Sequence, residues 1–221
     1  TNSIVRYQKL RKKFPDIEIM IGIGNLTELT HADTAGMNAL LFGIASELEI
    51  NYALCTQVSE HCNKAIIEGN YARRIMHTTK NYNMPPKDIS SKLLSLHERK
   101  PFPYTTEELK EMWSNVKDKN YRIYVNEDGI HVFNNKDYFL EKDAAEFYQY
   151  LDIKNDDGHA YYLGMELAKA HTAYQLGKRY DQDEMLKWGC SVDISEEDLM
   201  KFKTAGHTMR KLKTTNKVSK K

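Results

Sequence analysis

The first eighty residues alternate between amphipathic stretches of helical length and short apolar runs. Apolar side chains recur at three- and four-residue steps over residues 3–14, which predicts a helix. Pro15-Asp16 interrupts this pattern, and the apolar run over residues 17–23 has the length of a strand. We expect a turn over residues 24–30 and then a second helix that extends to about Glu47.

The same order of elements is then repeated. Residues 51–58 form another run of strand length, and Ser59 is expected to cap a helix that extends to about Met76. Short strands that alternate with helices predict parallel strands joined by crossover helices. Residues 17–80 therefore hold two complete strand–helix units, and we assign residues 1–80 to an α/β domain.

The second half of the chain has a different pattern. Residues 81–120 are polar and contain Pro85-Pro86, so we expect a linker and a helical connection capped at Thr105. Two apolar runs, residues 122–125 and 130–133, flank Asp128-Gly129, which predicts a β-hairpin. Helices are expected near residues 143–151 and over 158–176, and Gly164 is expected to permit close helix packing. Residues 121–193 thus predict a small α+β domain.

Charge and cysteine content narrow the class of protein. A mean hydropathy of −0.66 and the absence of a long apolar stretch indicate a protein without a membrane span, and no signal-peptide pattern is present. Three cysteines without a close pair argue against a disulfide framework and favour a cytoplasmic location. Residues 201–221 carry eight basic side chains and no acidic one. We assign residues 194–221 to a basic tail, either solvated or bound to an anionic partner, and see no nucleic-acid-binding fold.

The end of the first predicted strand carries the most informative residues. Gly22 and Gly24 lie where parallel α/β architectures build their ligand sites, and glycine lets a flat ligand approach the backbone closely. Asn25 follows them, and its amide both donates and accepts, which suits a flat ring whose edge carries both N–H and C=O groups. A glycine pair in this position also occurs in tight turns that bind nothing, so the spacing alone leaves both readings open.

A longer string makes the prediction specific. Gly22-Ile23-Gly24-Asn25-Leu26-Thr27, then Asn38-Ala39-Leu40-Leu41, then Cys55-Thr56-Gln57 resembles the last two units of the pterin-binding (β/α)₈ barrel family. That family includes dihydropteroate synthases and folate-dependent corrinoid methyltransferases. The resemblance implies that Asn25 contacts the pterin, and it extends the ligand site to Asn38 and Gln57. Asp33 and Glu28, in the loop after the turn, are further candidates for the pterin amino group or for acid/base chemistry, although a loop carboxylate can also be merely solvated.

The match to dihydropteroate synthase itself is incomplete. The family pattern of Ser-Arg-Lys after the seventh strand and Arg-x-His after the eighth is replaced by Gly24-Asn25-Leu26 and Cys55-Thr56-Gln57. Phosphate departure without a nearby positive charge is poorly stabilised. Pterin binding is therefore the better supported expectation, and the reaction stays open between a synthase-like transferase, a pterin-dependent methyltransferase and no catalysis.

A second string points to a subgroup of this family. His159-Ala160-Tyr161-Tyr162-Leu163-Gly164-Met165-Glu166-Leu167-Ala168-Lys169-Ala170 and Gly177 to Asp183 resemble the domain that follows the barrel in dihydropteroate synthase-like proteins of methanogenic archaea and methylotrophs. The resemblance implies a reduced pterin as ligand and a role in the synthesis or use of tetrahydromethanopterin. It also implies that the rest of the barrel precedes Thr1, and exposed strand edges could then lead to homo-oligomers.

Other groups support weaker hypotheses. His159, Glu166 and Asp181 share no known metal-site spacing, so we expect no metal. Cys55 could be a nucleophile with His31 or His61 as base, although a small buried residue is the simpler interpretation. The rival to a pterin enzyme is a non-catalytic pterin-sensing or scaffolding module that docks a partner through residues 121–193.

Overall fold

A computed structural model describes residues 2–153 and 156–193 and divides them into two compact units. Residues 2–95 and 188–193 form the first, here called the parallel unit. Residues 96–153 and 156–187 form the second, called the antiparallel unit. The chain is mixed α/β, and none of its described helices is both long and apolar enough to cross a membrane.

The parallel unit contains two strand–helix repeats. Its elements are α1 (Asn2–Lys13), β1 (Met20–Gly22), α2 (Gly24–Leu29), α3 (Thr34–Glu47), β2 (Tyr52–Leu54), a 3₁₀ helix (Glu60–Cys62) and α4 (Ala65–Tyr82). The strands β1 and β2 pair in parallel, with Met20 opposite Tyr52 and Gly22 opposite Leu54. The predicted order of elements and the parallel pairing are confirmed.

The two faces of this small sheet differ in burial. Ile21 and Ile23 point to one face and pack with Phe42 of α3 and Ala72 of α4, because alternate strand residues share a face. The opposite face holds large apolar side chains that stay more than half exposed; they are Met20, Tyr52 and Leu54. Helices therefore cover one face of the sheet at β1, although Ala53 of β2 stays exposed on that face, and the other face is open in the described residues.

Three local predictions differ from the structure. Ser59, expected to cap a helix that extends to about Met76, makes no side-chain cap and precedes the 3₁₀ helix, whereas α4 begins at Ala65. Residues 24–29, expected as a turn, form the helix α2, whose backbone bonds begin at the carbonyl of Ile23. The hydrogen-bonded strands are also shorter than the apolar runs that suggested them. A two-stranded parallel pair offers partners to few residues, so the ends of each run lack ladder bonds.

The antiparallel unit is built around a three-stranded sheet. Its elements are α5 (Thr106–Ser114), β3 (Arg122–Val125), β4 (Ile130–Phe133), β5 (Tyr138–Glu141), a 3₁₀ helix (Ala144–Gln149) and α6 (Asp157–Leu176). The predicted hairpin is confirmed, since β3 pairs with β4 from Arg122–Phe133 to Val125–Ile130. Thr105 and Glu108 form the expected capping box at the start of α5.

Every residue of the central strand β4 is buried, including one histidine. His131 Nε2 lies 2.7 Å from Asn126 Oδ1, and His131 Nδ1 lies 2.7 Å from the hydroxyl of Tyr138. Asn126 Oδ1 also accepts from the amides of Asp128 and Gly129, so His131 Nε2 is the donor and Nδ1 accepts from Tyr138. Burial lowers the pKa of His131 to about 4, which keeps the ring neutral.

The free edge of β3 is occupied by a side chain. Gln182 Oε1 accepts from the backbone N–H of Ile123 at 2.9 Å, and Gln182 Nε2 donates to the carbonyl of Tyr121 at 3.2 Å. The same amide donates to the hydroxyl of Tyr162 on α6. The side-chain amide of Gln182 thus takes the place of a peptide group of a neighbouring strand.

The expected role of Gly164 in close helix packing is wrong for the described residues. A Cβ built at Gly164 would meet no atom within 4 Å. The residue lies in the middle of α6, on a surface that no neighbouring element approaches closely.

Candidate functional site

The candidate site lies at the carboxyl ends of β1 and β2. The backbone N–H of Ile23 donates to the carbonyl of Leu54 at 3.0 Å, so both strands end at the same edge of the sheet. The helix α2 leaves this edge from β1, and residues 55–59 leave it from β2. Segments that follow neighbouring parallel strands are where α/β proteins place their ligand-binding groups.

The two glycines allow close approach between these segments. A Cβ at Gly24 would lie 2.3 Å from the hydroxyl oxygen of Thr56, so only glycine fits where α2 meets the segment after β2. A Cβ at Gly22 would lie 3.0 Å from Nδ2 of Asn25. The Asn25 side chain therefore lies back over Gly22 at the end of β1, and it remains exposed to solvent.

Glu28 fixes the segment after β2. Its carboxylate accepts from the backbone N–H groups of Val58 at 2.9 Å and Ser59 at 2.8 Å. The Ser59 hydroxyl and these two amides lower the pKa of Glu28 to about 2, since each hydrogen bond favours the charged form. Glu28 therefore stays ionised, and it serves to hold the segment that carries Thr56 and Gln57.

The carbonyl of Thr27 joins α2 to the 3₁₀ helix. It lies 3.0 Å from His61 Nε2 and 3.2 Å from Cys62 Sγ, and both of these atoms donate to it because a carbonyl only accepts. The His61 ring stands nearly perpendicular to that of His31, with centroids 6.0 Å apart. Two imidazoles consequently border the loop between α2 and α3.

The remaining predicted site residues divide into two groups. Asp33 and Gln57 are exposed, and Asp33 occupies the N-cap position of α3 without a side-chain hydrogen bond to the helix. Asn38, by contrast, is only 1% exposed and lies between α3 and α4. Its Nδ2 donates to the carbonyl of Ala65 at 3.1 Å and lies 3.4 Å from Glu68 Oε2.

The structure thus brings Gly22, Gly24 and Asn25 together beside Thr56, and it leaves Asn38 enclosed. Glu68, which is 4% exposed, also accepts a hydrogen bond from the hydroxyl of Thr34. Asn38 therefore belongs to a buried polar group that joins the two helices.

Positive charge is scarce around this edge. Residues 22–34 contain no lysine or arginine, and residues 55–64 contain Lys64 alone. Lys64 Nζ lies 2.5 Å from a carboxylate oxygen of Asp193, so its charge is already paired. These two segments therefore supply no unpaired cation in place of the Lys and Arg of the synthase pattern.

Cys55 is poorly suited to act as a nucleophile. Burial raises the pKa of its thiol, which favours the unreactive protonated form. A Cβ at Gly69 of α4 would lie 3.5 Å from Cys55 Sγ, so the sulfur faces the helix layer. Across residues 2–153 and 156–193, no three His, Cys, Asp or Glu side chains are grouped as metal ligands would be.

Sequence reasoning missed the positioning roles of Glu28 and Thr27. Both contact partners about thirty residues away, and nothing in the local spacing identifies those partners. These roles could have been predicted only if residues 24–29 had been recognised as a helix, because that helix directs Thr27 and Glu28 toward the segment after β2.

Comparisons with known proteins identify a relative without a known function. An uncharacterized protein of Methanocaldococcus jannaschii is 29% identical over 198 aligned positions, which cover 79% of this chain and 37% of the relative. The chain therefore spans little more than a third of the length of this curated relative. No protein-family model matches the chain, and no solved structure matches it with significance.

Proposed function

We propose that the chain supplies the last two strand–helix units of a pterin-binding (β/α)₈ barrel of the dihydropteroate synthase-like type, followed by a small α+β domain. The ligand is a reduced pterin, bound at the carboxyl ends of β1 and β2. One observation carries the proposal: two parallel strands end at one edge, where Gly22 is only half-buried and the Asn25 amide stays exposed, although Gly24 itself is buried against Thr56. A flat ring with mixed donors and acceptors matches such an edge.

The open face of the β1–β2 sheet supports a larger barrel. Met20 is 60% exposed, Tyr52 53% and Leu54 55%, and all three lie on the face opposite the helices. Strands of parallel sheets are ordinarily buried on both faces. Further strands of the same barrel would cover these side chains, and the relative of greater length is consistent with a larger domain.

The charges at the site favour binding over pyrophosphate chemistry. Asn25 would pair with the edge of the pterin, and the half-buried Gly22 would let the ring approach the backbone. Asp33, which is exposed at the start of α3, is available for the pterin amino group. Because no unpaired cation lies in the two segments, we propose a role in the use of a folate-like one-carbon carrier rather than in pyrophosphate displacement.

Isothermal titration calorimetry of a protein that contains the complete proposed barrel, with a reduced pterin, tests this proposal. We expect Asn25→Ala to weaken binding by about tenfold, the cost of one or two lost hydrogen bonds. Asn70→Ala is a matched control, because Asn70 is exposed on α4. The proposal fails if the unmodified protein shows no heat of binding at millimolar pterin, or if both variants weaken binding equally.

A second candidate function is a non-catalytic module that docks a partner through residues 121–193. An apolar groove along α6 in that region favours it. Turnover of a pterin pyrophosphate with an aryl amine would contradict this candidate and would restore synthase activity. Pterin binding without turnover would support the module.

A further inference from the structure

A pocket of about 250 Å³ lies at the amino end of β2, between that strand and the helices α3 and α4; we call it the β2 pocket. Its apolar lining comes from these three elements and from the loop before β2; the residues are Phe42, Ala45, Ile50, Ala53 and Met76. The candidate pterin site lies at the opposite, carboxyl ends of the strands. The pterin proposal therefore does not use this pocket.

The β2 pocket has room for a compact organic ligand. Ala53 pairs with Ile21 and lies on the helix side of the sheet, yet it stays exposed because its methyl group does not fill the space beneath β2. Tyr52 and Leu54 point to the other face and leave that space free. Since an apolar cavity of about 150 Å³ can hold a benzene ring, the β2 pocket can hold a six-membered ring with a short polar group.

One side of α4 adds basic side chains to this apolar lining. Arg73, His77 and Lys80 follow one another at steps of four and three residues, so they lie on the same side of the helix. Of the described residues that line the pocket, none is acidic. A ligand with a negative charge is therefore favoured over a neutral or positively charged one.

Arg73 is the cation that is available to such a ligand. Lys80 Nζ lies 2.8 Å from Glu49 Oε1, and its hydrogen bond and charge lower the pKa of that carboxylate, so the charge of Lys80 is already paired. Arg73 donates to the neutral side chain of Asn70 at 3.1 Å, and no carboxylate in the described part of the chain forms a salt bridge with it. A guanidinium can bind a carboxylate through two parallel hydrogen bonds, which also orients the ligand.

We propose that the β2 pocket binds a small organic carboxylate with a compact apolar body. The Arg73 guanidinium holds the carboxylate, and His77, one helical turn away, donates a second contact to it. The apolar body packs against Phe42, Ala53 and Met76. The parallel unit thus has a second ligand site at the end of the sheet opposite the candidate pterin site, and this inference does not depend on pterin binding.

Titration of the isotope-labelled chain with cyclohexanecarboxylate, followed by NMR, tests the proposal. This probe has a compact apolar ring and one carboxylate, and for a ligand of its size we expect a Kd in the millimolar range. The largest shift changes should occur at the amides of Ala53 and Met76, and smaller ones at Gly22 and Asn25. Cyclohexanecarboxamide, a neutral probe of the same shape, should bind at least about fivefold more weakly.

Two neighbouring arginines provide a matched pair of variants. Arg73→Gln should weaken binding of cyclohexanecarboxylate at least about fivefold, because hydrogen bonds between charged groups are the stronger ones. Arg74→Gln removes the same charge from an exposed side chain outside the pocket lining, and it should change the Kd less than about twofold. Ala53→Leu fills the pocket from an exposed strand position and should weaken binding of both probes.

Far-UV circular dichroism checks that each variant remains folded, and the arginine pair and the neutral probe decide the outcome if Ala53→Leu does not fold. Four results would overturn the proposal: no shift changes at millimolar cyclohexanecarboxylate, equal binding of the acid and the amide, equal weakening by Arg73→Gln and Arg74→Gln, or unchanged binding by a folded Ala53→Leu variant.

Discussion

The two units bury their sheets to different extents. In the antiparallel unit, Ile130, His131, Val132 and Phe133 of the central strand are all fully buried. In the parallel unit, all three residues of β2 are exposed. Both sheets contain few strands, so the number of strands does not explain the contrast.

The connection between strands accounts for the difference. Antiparallel strands are joined by tight turns, so β3, β4 and β5 are contiguous in sequence and reach their cover from α5 and α6 nearby. Parallel strands need a crossover helix between each pair, and two such units cover one face only. The antiparallel unit therefore buries both faces of its central strand, whereas the two-stranded parallel sheet keeps one face open in the described residues.

Core truncation gives the largest expected contrast between the units. Phe133→Ala should lower the free energy of unfolding of the antiparallel unit by about 3–5 kcal/mol, because Phe133 is fully buried between the rings of Tyr124 and Tyr138. Leu54→Ala should cost less than about 1 kcal/mol, since Leu54 is 55% exposed. Urea unfolding followed by tryptophan fluorescence measures both, with Trp113 in one unit and Trp188 in the other. Equal losses would contradict the contrast.

Low pH should lower the free energy of unfolding of the antiparallel unit more than that of the parallel unit. The pKa of His131 in the folded protein is about 4, below its ordinary value of 6.5, so the folded state favours the neutral ring. The resulting stability is fully present above pH 6.5 and is lost as pH falls from 6.5 through 4, by about 3 kcal/mol. His131→Gln, which keeps one donor and one acceptor, should flatten this dependence. If the free energy of unfolding of His131→Gln depends on pH with the same slope as that of the unmodified protein, His131 is not the source of this dependence.

Two glycines, Gly164 within α6 and Gly177 directly after it, distinguish the effect of backbone strain on stability from the effect of packing. Gly164→Ala should raise the free energy of unfolding by about 0.5–1 kcal/mol, because the position is helical and no described atom lies within 4 Å. A Cβ at Gly177 would likewise meet no described atom, but Gly177 ends the helix with φ of +59°. Gly177→Ala should therefore lower the free energy of unfolding by about 1 kcal/mol. Thermal unfolding measures both signs. A loss of stability for Gly164→Ala would show that another group packs against this surface of α6.

The smallest expected effect is local to the candidate site. Glu28→Gln leaves the segment after β2 with one good acceptor in place of two charged oxygens. We expect the amides of Val58 and Ser59 to exchange about tenfold faster with solvent, since hydrogen bonds to a charged group are the stronger ones. Hydrogen exchange followed by NMR measures this, and Glu18→Gln is a control because Glu18 bonds the Tyr52 hydroxyl elsewhere. Unchanged protection would remove Glu28 as a positioning residue.

The sequence predicted the hairpin better than the strand that follows it. Residues 122–125 and 130–133 are apolar runs on either side of Asp128-Gly129, so both strands and their turn were predicted correctly. The strand β5 was missed because no Asp-Gly or Asn-Gly pair marks the turn before Tyr138-Phe139-Leu140-Glu141. A signal was present in Asn134, whose side chain accepts from the amides of Lys136 and Asp137 as Asn126 does in the first turn.

The candidate site was predictable only in part. Gly22, Gly24 and Asn25 are adjacent in sequence, so their position at a strand end follows from the local pattern. The burial of Asn38 depends on how α4 packs against α3, and the binding of Glu28 depends on residues thirty positions away. Such contacts are set by tertiary packing, which local periodicity does not encode.

The Gln182 side chain has a consequence for how copies of this protein can associate. An incoming strand would pair with the N–H of Ile123 and the carbonyl of Tyr121, but the side-chain amide of Gln182 already binds both groups. Strand addition at the β3 edge would first have to displace that amide and its bond to Tyr162. Intermolecular β-pairing should therefore begin on the β1–β2 sheet. There the strand β2 is exposed, and within residues 2–153 and 156–193 no side chain occupies its edge in this way.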